Sequence, residues 1–262
     1  MDAWSPDQYE RFKRERDQPF ADLLALAGRC EGGRVVDLGC GTGALTARLH
    51  EATGAARTLG IDSSEAMLDK APPLERDGLS FRHADIATFD EGPWDLVFSN
   101  AALQWLPDHE ALFVRLAHLV APGGQLAVQV PANFDQPAHV VAAELANEPR
   151  WRGAFGDRVQ APAVLAPTSY SRLLHALGFA EQHVRLQVYA HLLPSPDDVV
   201  EWVKGTLLNA YLPLLPEDRR AEFVADYRAR LLPRLPDERP FLFPFQRILL
   251  TGRRHGRADQ TA

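Results

Sequence analysis

The stretch RVVDLGCGTGALTARLH, residues 34 to 50, limits the fold more than any other part of the chain. Val35 and Val36 run as an apolar pair into Asp37. Gly39, Gly41 and Gly43 then fall at every second position, and an amphipathic run follows. A glycine loop that leaves a strand and opens a helix lets backbone approach a ligand closely. Strand and helix patterns keep alternating afterwards: RTLGID and SEAMLDKA, LSFRHAD, WDLVFSN and DHEALFVRLAHLV, then QLAVQV after the APGG turn at Gly123-Gly124. Strands apolar on both faces that alternate with helices predict an α/β fold, a parallel sheet covered on both sides.

Beyond Pro131 the regularity weakens. AHVVAAELAN predicts a helix, followed by a long irregular segment containing Pro149, Pro162 and Pro167. SRLLHALGF predicts a helix and EQHVRLQVYAHLL a long alternating strand. SPDDVVEWVKG and PEDRRAEFVADYRARLL predict helices, and FPFQRILLTGRR a final strand. An alternating strand late in a parallel sheet predicts an antiparallel partner at one edge. Residues 5 to 29 read as two helical segments broken at Pro19. Arg11, Lys13, Arg14 and Arg16 alternate there with acids, as on a solvated face. The tail from Arg253 is polar and reads as frayed.

Composition excludes several classes of function. A net charge of −7 leaves no large basic footprint for nucleic acid. An anionic ligand must therefore be captured by local positive charge. No apolar run is long enough to span a membrane. The opening MDAWSPDQYERFKRERDQPF has no apolar core of the kind a secretory signal needs. Cys30 and Cys40 supply neither a disulfide framework nor metal-ligand spacing, and read as reduced thiols of a cytoplasmic protein.

Two ligand classes use such a glycine loop. GCGTGA satisfies the dinucleotide pattern G-x-G-x-x-A. A carboxylate two residues before the first glycine repels a pyrophosphate, whereas it suits a ligand with an ammonium group and a sulfonium, such as S-adenosylmethionine. Asp62 ends the second strand, where a carboxylate can accept both ribose hydroxyls. Asp85 ends the third, placed for an adenine amino group with Ile86 against the ring. Acids at the carboxyl ends of successive strands face one crevice. Asp37 to Gly43, with Asp62 and Asp85, resemble the class I S-adenosylmethionine-dependent methyltransferases over roughly residues 30 to 130. The resemblance implies a Rossmann-like seven-stranded sheet with the last strand antiparallel. The cofactor set is then Asp37, Gly39, Cys40, Gly41, Gly43, Asp62, Ser63, Asp85, Ile86, Asn100, Ala101 and Trp105.

The loop after the fourth strand reads SNAALQWLPDH. Base-modifying amino-methyltransferases would carry D/N/S-P-P-aromatic there, and Ser99-Asn100-Ala101-Ala102 does not fit. The flanks carry a closer resemblance. W-x-P-x-x-Y-x-x-F-x-x-E-R-x-x-P is met by Trp4, Pro6, Tyr9, Phe12, Glu15, Arg16 and Pro19. NAALQWLPDH, LAVQVPANFDQPAHVVAAE, DDVVEWVKGT and LFPFQR follow at residues 100, 126, 197 and 242. Together they resemble the trans-aconitate 2-methyltransferase family over nearly the whole chain. This implies methyl-ester formation on a carboxylate of trans-aconitate. Malonyl-carrier-protein methyltransferases are similar in the core and fit the flanks less well. One departure stands out: the family has G-L-R-P-[W/Y]-L where residues 207–212 read LLNAYL, so Asn209 replaces an arginine. Arginine grips a carboxylate bidentately and asparagine cannot.

A carboxylate is ionised at neutral pH and needs no general base, so no catalytic residue and no metal are expected. The nine histidines are scattered, with His109 and His139 inside family-like segments. The expected acid-binding set is Tyr9, Arg16, Gln104, His139, Trp202, Lys204, Asn209 and Arg247. In one domain of residues 1–262, residues 31–131 form the cofactor core. Residues 1–30 form an N-terminal helical lid, and residues 132–168 and 194–235 form capping insertions. A non-catalytic S-adenosylmethionine-binding protein is the alternative of another class, and Asp37 argues against a dehydrogenase.

Overall fold

The computed structural model describes residues 13–156 and 163–256. Its first half alternates as the sequence predicts. Helix α1 (Lys13–Ala27) precedes β1 (Arg34–Leu38), α2 (Ala44–Thr53), β2 (Arg57–Asp62), the short α3 (Glu65–Leu68) and β3 (Leu79–His83). Then come β4 (Trp94–Asn100), α4 (His109–Leu119), β5 (Val120–Pro131), α5 (Pro137–Ala146) and α6 (Pro149–Phe155). The chain ends with α7 (Pro167–Ala176), β6 (Phe179–Leu193), α8 (Asp197–Lys204), α9 (Glu217–Leu231) and β7 (Phe241–Arg254). Caps mark the boundaries. Ser64 accepts from the Met67 N–H at 3.2 Å and Asp108 from the Ala111 N–H at 3.1 Å, which satisfies first-turn amides.

The strands form one sheet in the order β3-β2-β1-β4-β5-β7-β6, and β7 runs antiparallel to both neighbours. The antiparallel strand is therefore internal, and the edge belongs to β6. Ile248, Leu249 and Leu250 explain this. All three are buried, so β7 must be covered on both faces. Successive side chains sort onto opposite faces. Val35, Ala127 and Leu249 pack under α1 and α2 with Phe20, Leu23 and Leu49. Val36, Val128 and Leu250 pack under α4 and α7 with Phe113, Leu116, Tyr170 and Leu174, and Val164 and Leu165 join this second face.

A third core lies past the carboxyl ends of the parallel strands. The β6–β7 ladder continues beyond Gln187–Arg247 through the pairs Tyr189–Phe245, His191–Phe243 and Leu193–Phe241. Its far end roots among α5, α6, α8 and α9, with Trp151, Phe155, Trp202, Phe223 and Tyr227 buried. Each such side chain contributes about 1.5–3 kcal/mol on burial. Ion pairs Arg234–Glu144, Arg230–Glu148 and Arg150–Asp226 tie α5, α6 and the junction between them to α9 and the 3-10 turn that follows it. They lie at the surface, with Glu148 and Asp226 half-buried, and add little.

Three local readings are corrected. α1 runs through Pro19, because Phe20 and Leu23 are fully buried against the sheet and offset the lost hydrogen bond. The APGG segment lies inside β5: Val120 already pairs with Trp94, and a register shift absorbs the turn. The stretch read as irregular contains α6, where Pro149 occupies the first turn and Trp151 and Phe155, four apart, face the third core.

Candidate active site at the carboxyl ends of the strands

Asp37 sits near the end of β1 with only 4% of its surface exposed, and Thr46 Oγ1 donates to its Oδ2 at 2.6 Å. Burial pushes its carboxyl up to about 7, against the Thr46 hydrogen bond and with help from the charge of Asp62. The next residues turn back on β2: the N–H groups of Gly39 and Cys40 both donate to the Ile61 carbonyl. Gly39 has φ +82°, and a Cβ there would come within 2.2 Å of Ala102 Cβ and 3.6 Å of Ile86 Cδ1. Glycine thus lets the loop close against the segments that follow β3 and β4. Gly41 and Gly43 also have positive φ, and a Cβ on Gly43 would strike the Phe81 ring. Burial raises the Cys40 thiol far above its ordinary value, so it is an inert packing group.

Asp62 braces the loop. Its Oδ2 accepts from the Gly41 N–H at 2.8 Å and its Oδ1 from the Ser64 N–H at 2.9 Å. Ser63 is exposed beside it, and its carbonyl meets His83 Nε2 at 3.0 Å. Asp85 is exposed and accepts from the Ala87 N–H at 2.8 Å. After β4, Ala101 takes a left-handed φ of +57°, and its carbonyl accepts from Gln104 Nε2 at 2.7 Å. That bond fixes the amide orientation and turns Gln104 Oε1 away. Gln104 Oε1 and Asn100 Oδ1 are buried with no hydrogen-bond partner among the described residues. Trp105 is exposed at the rim.

The opposite wall is rich in donors. Arg247 on β7 is 5% exposed, donates from Nη1 to Gln129 Oε1 at 3.1 Å and stacks over Phe245 at 4.8 Å. Gln129 Nε2, Arg185 Nε and His191 Nε2 are buried without a partner among the described residues. His191 packs on Trp202 with ring centroids 5.0 Å apart. Burial first, and then Arg247, push it down to about 4, so it is neutral. His139, at the start of α5 and edge-on to Phe134, is likewise pushed down to about 4 by burial. Tyr189 donates to Asp22 Oδ2 of α1 at 2.7 Å.

The structure thus brings Asp37, the glycine loop, Asp62, Ile86, Ala101 and Gln104 to one end of the sheet, with Arg247 across from them. Trp202 is buried in the third core. Lys204 is held by Glu201 at 2.6 Å, three residues away on α8. Asn209 is half-buried on the 3-10 turn Leu207–Ala210 that follows α8. His109 bonds Tyr170 and the Leu103 carbonyl inside the second face, a packing role. Tyr9 and the side chain of Arg16 lie outside the described residues.

Sequence reading missed Gln129, Arg185 and His191. Arg185, Gln187, Tyr189 and His191 share one face of β6, which points inward, while Leu186, Val188 and Leu192 are exposed. The alternation was visible, but its polarity is inverted relative to the usual apolar-inward strand.

Residues 12–184 match the methyltransferase domain family. A trans-aconitate 2-methyltransferase of Deinococcus radiodurans is 43% identical, over 96% of this chain and 98% of that protein. The enzyme of the same name from Streptomyces avermitilis is 41% identical, over 94% and 95%. Among solved structures, an S-adenosylmethionine dependent methyltransferase from Mesorhizobium loti superposes with a TM-score of 0.52 at 24% identity, covering 89% of this chain and 96% of that one.

Proposed function

The chain belongs to the trans-aconitate 2-methyltransferase family, and from that premise we propose that it transfers the methyl group of S-adenosylmethionine to a carboxylate of trans-aconitate. The observation that carries the reading is the opposed polarity of the two walls. Acids and amide oxygens with no partner among the described residues stand at β1 to β4, and donors with no partner among those residues and a buried arginine stand on β5 to β7. A cation-bearing cofactor suits the first wall and a polyanion the second.

The residues fit the cofactor. The glycine loop closes against Ala102 and Ile86, as no residue with a Cβ at position 39 could, and a buried carboxylate lies beneath it. Asp37 would hold the ammonium group, Asp62 the ribose hydroxyls, and Asp85 with Ile86 the adenine. Asn100, Ala101, Gln104 and Trp105 line the side facing the acceptor. When bound, S-adenosylmethionine supplies an electrophilic methyl group. The acid is ionised at neutral pH, so no side chain has to remove a proton. The chain's work is to hold both partners in line and exclude water. Residues 132–156 and 194–235, through the aromatic core of α5, α6, α8 and α9, serve as the cap, while Val164 and Leu165 pack on the second face of the sheet. The described part of segment 1–30, α1, reaches the site through Asp22 and Tyr189. No helix among the described residues is long and apolar enough to cross a membrane. Free Cys30 and Cys40 support a cytoplasmic setting. The net charge of −7 supports a small-molecule partner over nucleic acid.

Methyl-labelled cofactor incubated with trans-aconitate is expected to yield base-labile label in the acid. Label in a malonyl thioester and none in trans-aconitate would move the assignment to carrier-protein chemistry. Cofactor binding with no transfer to any acid would leave the fold and cofactor standing and send the search to neutral or nitrogen acceptors.

Asp37 adds a pH dependence. With its carboxyl raised to about 7, the cofactor-free protein carries a proton there below that pH, and binding a cation expels it. Cofactor affinity, followed by calorimetry, is expected to fall about tenfold per pH unit below 7 and to level off above it. A flat profile from pH 5.5 to 8 rejects the role given to Asp37.

A further inference from the structure

We propose that Arg185 is a substrate-binding residue: with Arg247 it forms a two-guanidinium site on the inner face of the β6–β7 ladder for the carboxylates that are not methylated. The inference rests on the trans-aconitate reading and names the group that serves in place of the arginine absent at position 209.

Register places these side chains. Asn100 ends β4 opposite Gln129 of β5; Gln129 faces Leu249 of β7, and Leu249 faces Arg185 of β6. This row crosses the carboxyl edge of the sheet on the face shared with Asp37. The next row carries Pro131, Arg247 and Gln187. At about 4.8 Å per strand, Arg247 stands roughly 10 Å and Arg185 roughly 14 Å from the strand that ends at Asn100. Both long side chains can reach back toward it. An extended polyacid can place one carboxylate at the methyl donor and the others against the two guanidinia.

The unsatisfied donors point to an anion. Arg185 makes no ion pair with any described residue, yet its Nε is buried without an acceptor. Leaving a guanidinium N–H in that condition costs free energy unless a ligand supplies the acceptor. Gln129 is oriented by Arg247, which can only donate, so its Oε1 is used and its Nε2 is left to give. His191 is nine-tenths buried, and its Nε2 has no partner among the described residues and donates in the Nε2–H tautomer. Three separate side chains thus present donors, beside two positive charges that both act on Tyr189. Asp22 is the neighbouring acid, and the Tyr189 hydroxyl occupies it.

The test compares wild type with Arg185→Gln and Arg185→Lys. Each is assayed for trans-aconitate KM and kcat, and for cofactor affinity by calorimetry. Arg185→Gln is expected to raise KM roughly 10- to 100-fold, the worth of a charge-assisted contact. Its kcat is expected to stay within about threefold, as for a contact made equally in ground and transition states. Cofactor affinity should be unchanged, and Arg185→Lys should recover part of the loss. A wild type that methylates trans-aconitate beside an Arg185→Gln protein of unchanged KM overturns the inference and leaves the function standing. Equal losses of acid and cofactor affinity also overturn it, because they mark a structural role. A wild type that neither binds nor methylates trans-aconitate overturns both.

Discussion

Asp37→Asn is expected to weaken S-adenosylmethionine binding by about two orders of magnitude at pH 8, because a buried charge pair with an ammonium group is lost in low dielectric. The substitution keeps the shape, and Thr46 can still donate to the amide oxygen that replaces Oδ2. It also removes a desolvated charge. Sign and window follow from the raised carboxyl. In the folded, cofactor-free protein the neutral acid is favoured, so this group's contribution to stability is present below about pH 4 and is lost as pH rises through about 7. The cofactor-free variant should therefore melt at or above the wild-type temperature at pH 8, and the difference should shrink at pH 6. Calorimetric titration and thermal melts at both pH values give the two readouts. A variant that binds the cofactor within twofold of wild type would remove Asp37 from the site.

Arg247→Met is expected to raise the trans-aconitate KM by about 10²- to 10³-fold, as truncating a buried, hydrogen-bonded charge does. Methionine occupies much of the volume beside Phe245, so packing survives, although Gln129 Oε1 loses its donor. Arg247→Lys keeps the charge without the fork and should fall between the two. Cofactor affinity separates this from general damage: Arg247 lies across the crevice from the glycine loop, so the dissociation constant for S-adenosylmethionine should not move. An unchanged KM in Arg247→Met would place the acid elsewhere.

The legible part of the fold is the part written in short-range patterns. The path from β1 to β4, its glycine loop and the acids closing three strands all follow from apolar runs, turn residues and spacing. The run ILL in β7 also states that the strand is covered on both sides, so its internal place could have been read. The failures have physical causes. Pro19 reads as a break because its local cost is visible, while the burial of Phe20 and Leu23 that offsets it is tertiary. Lys204 reads as a free cation, although Glu201 three residues earlier announces the partner that holds it. Arg185, Gln129 and His191 stayed hidden because period two reveals that a strand has two faces and says nothing about which faces in. Here the polar face is enclosed at His191 by Trp202 of the third core and at Tyr189 by Asp22 of α1. That core is assembled from helices far apart in the chain, so no local window contains it.

That third core has an evolutionary consequence. The cofactor loop closes against Ala102, Ile86 and Phe81, none of which belongs to it, whereas His191 and Arg247 stand where the β6–β7 ladder enters it. Substitutions among α5, α6, α8 and α9 can reshape the wall at His191 and Arg247 without disturbing the packing of the glycine loop. A lineage built this way can change the acid it accepts while keeping its methyl donor.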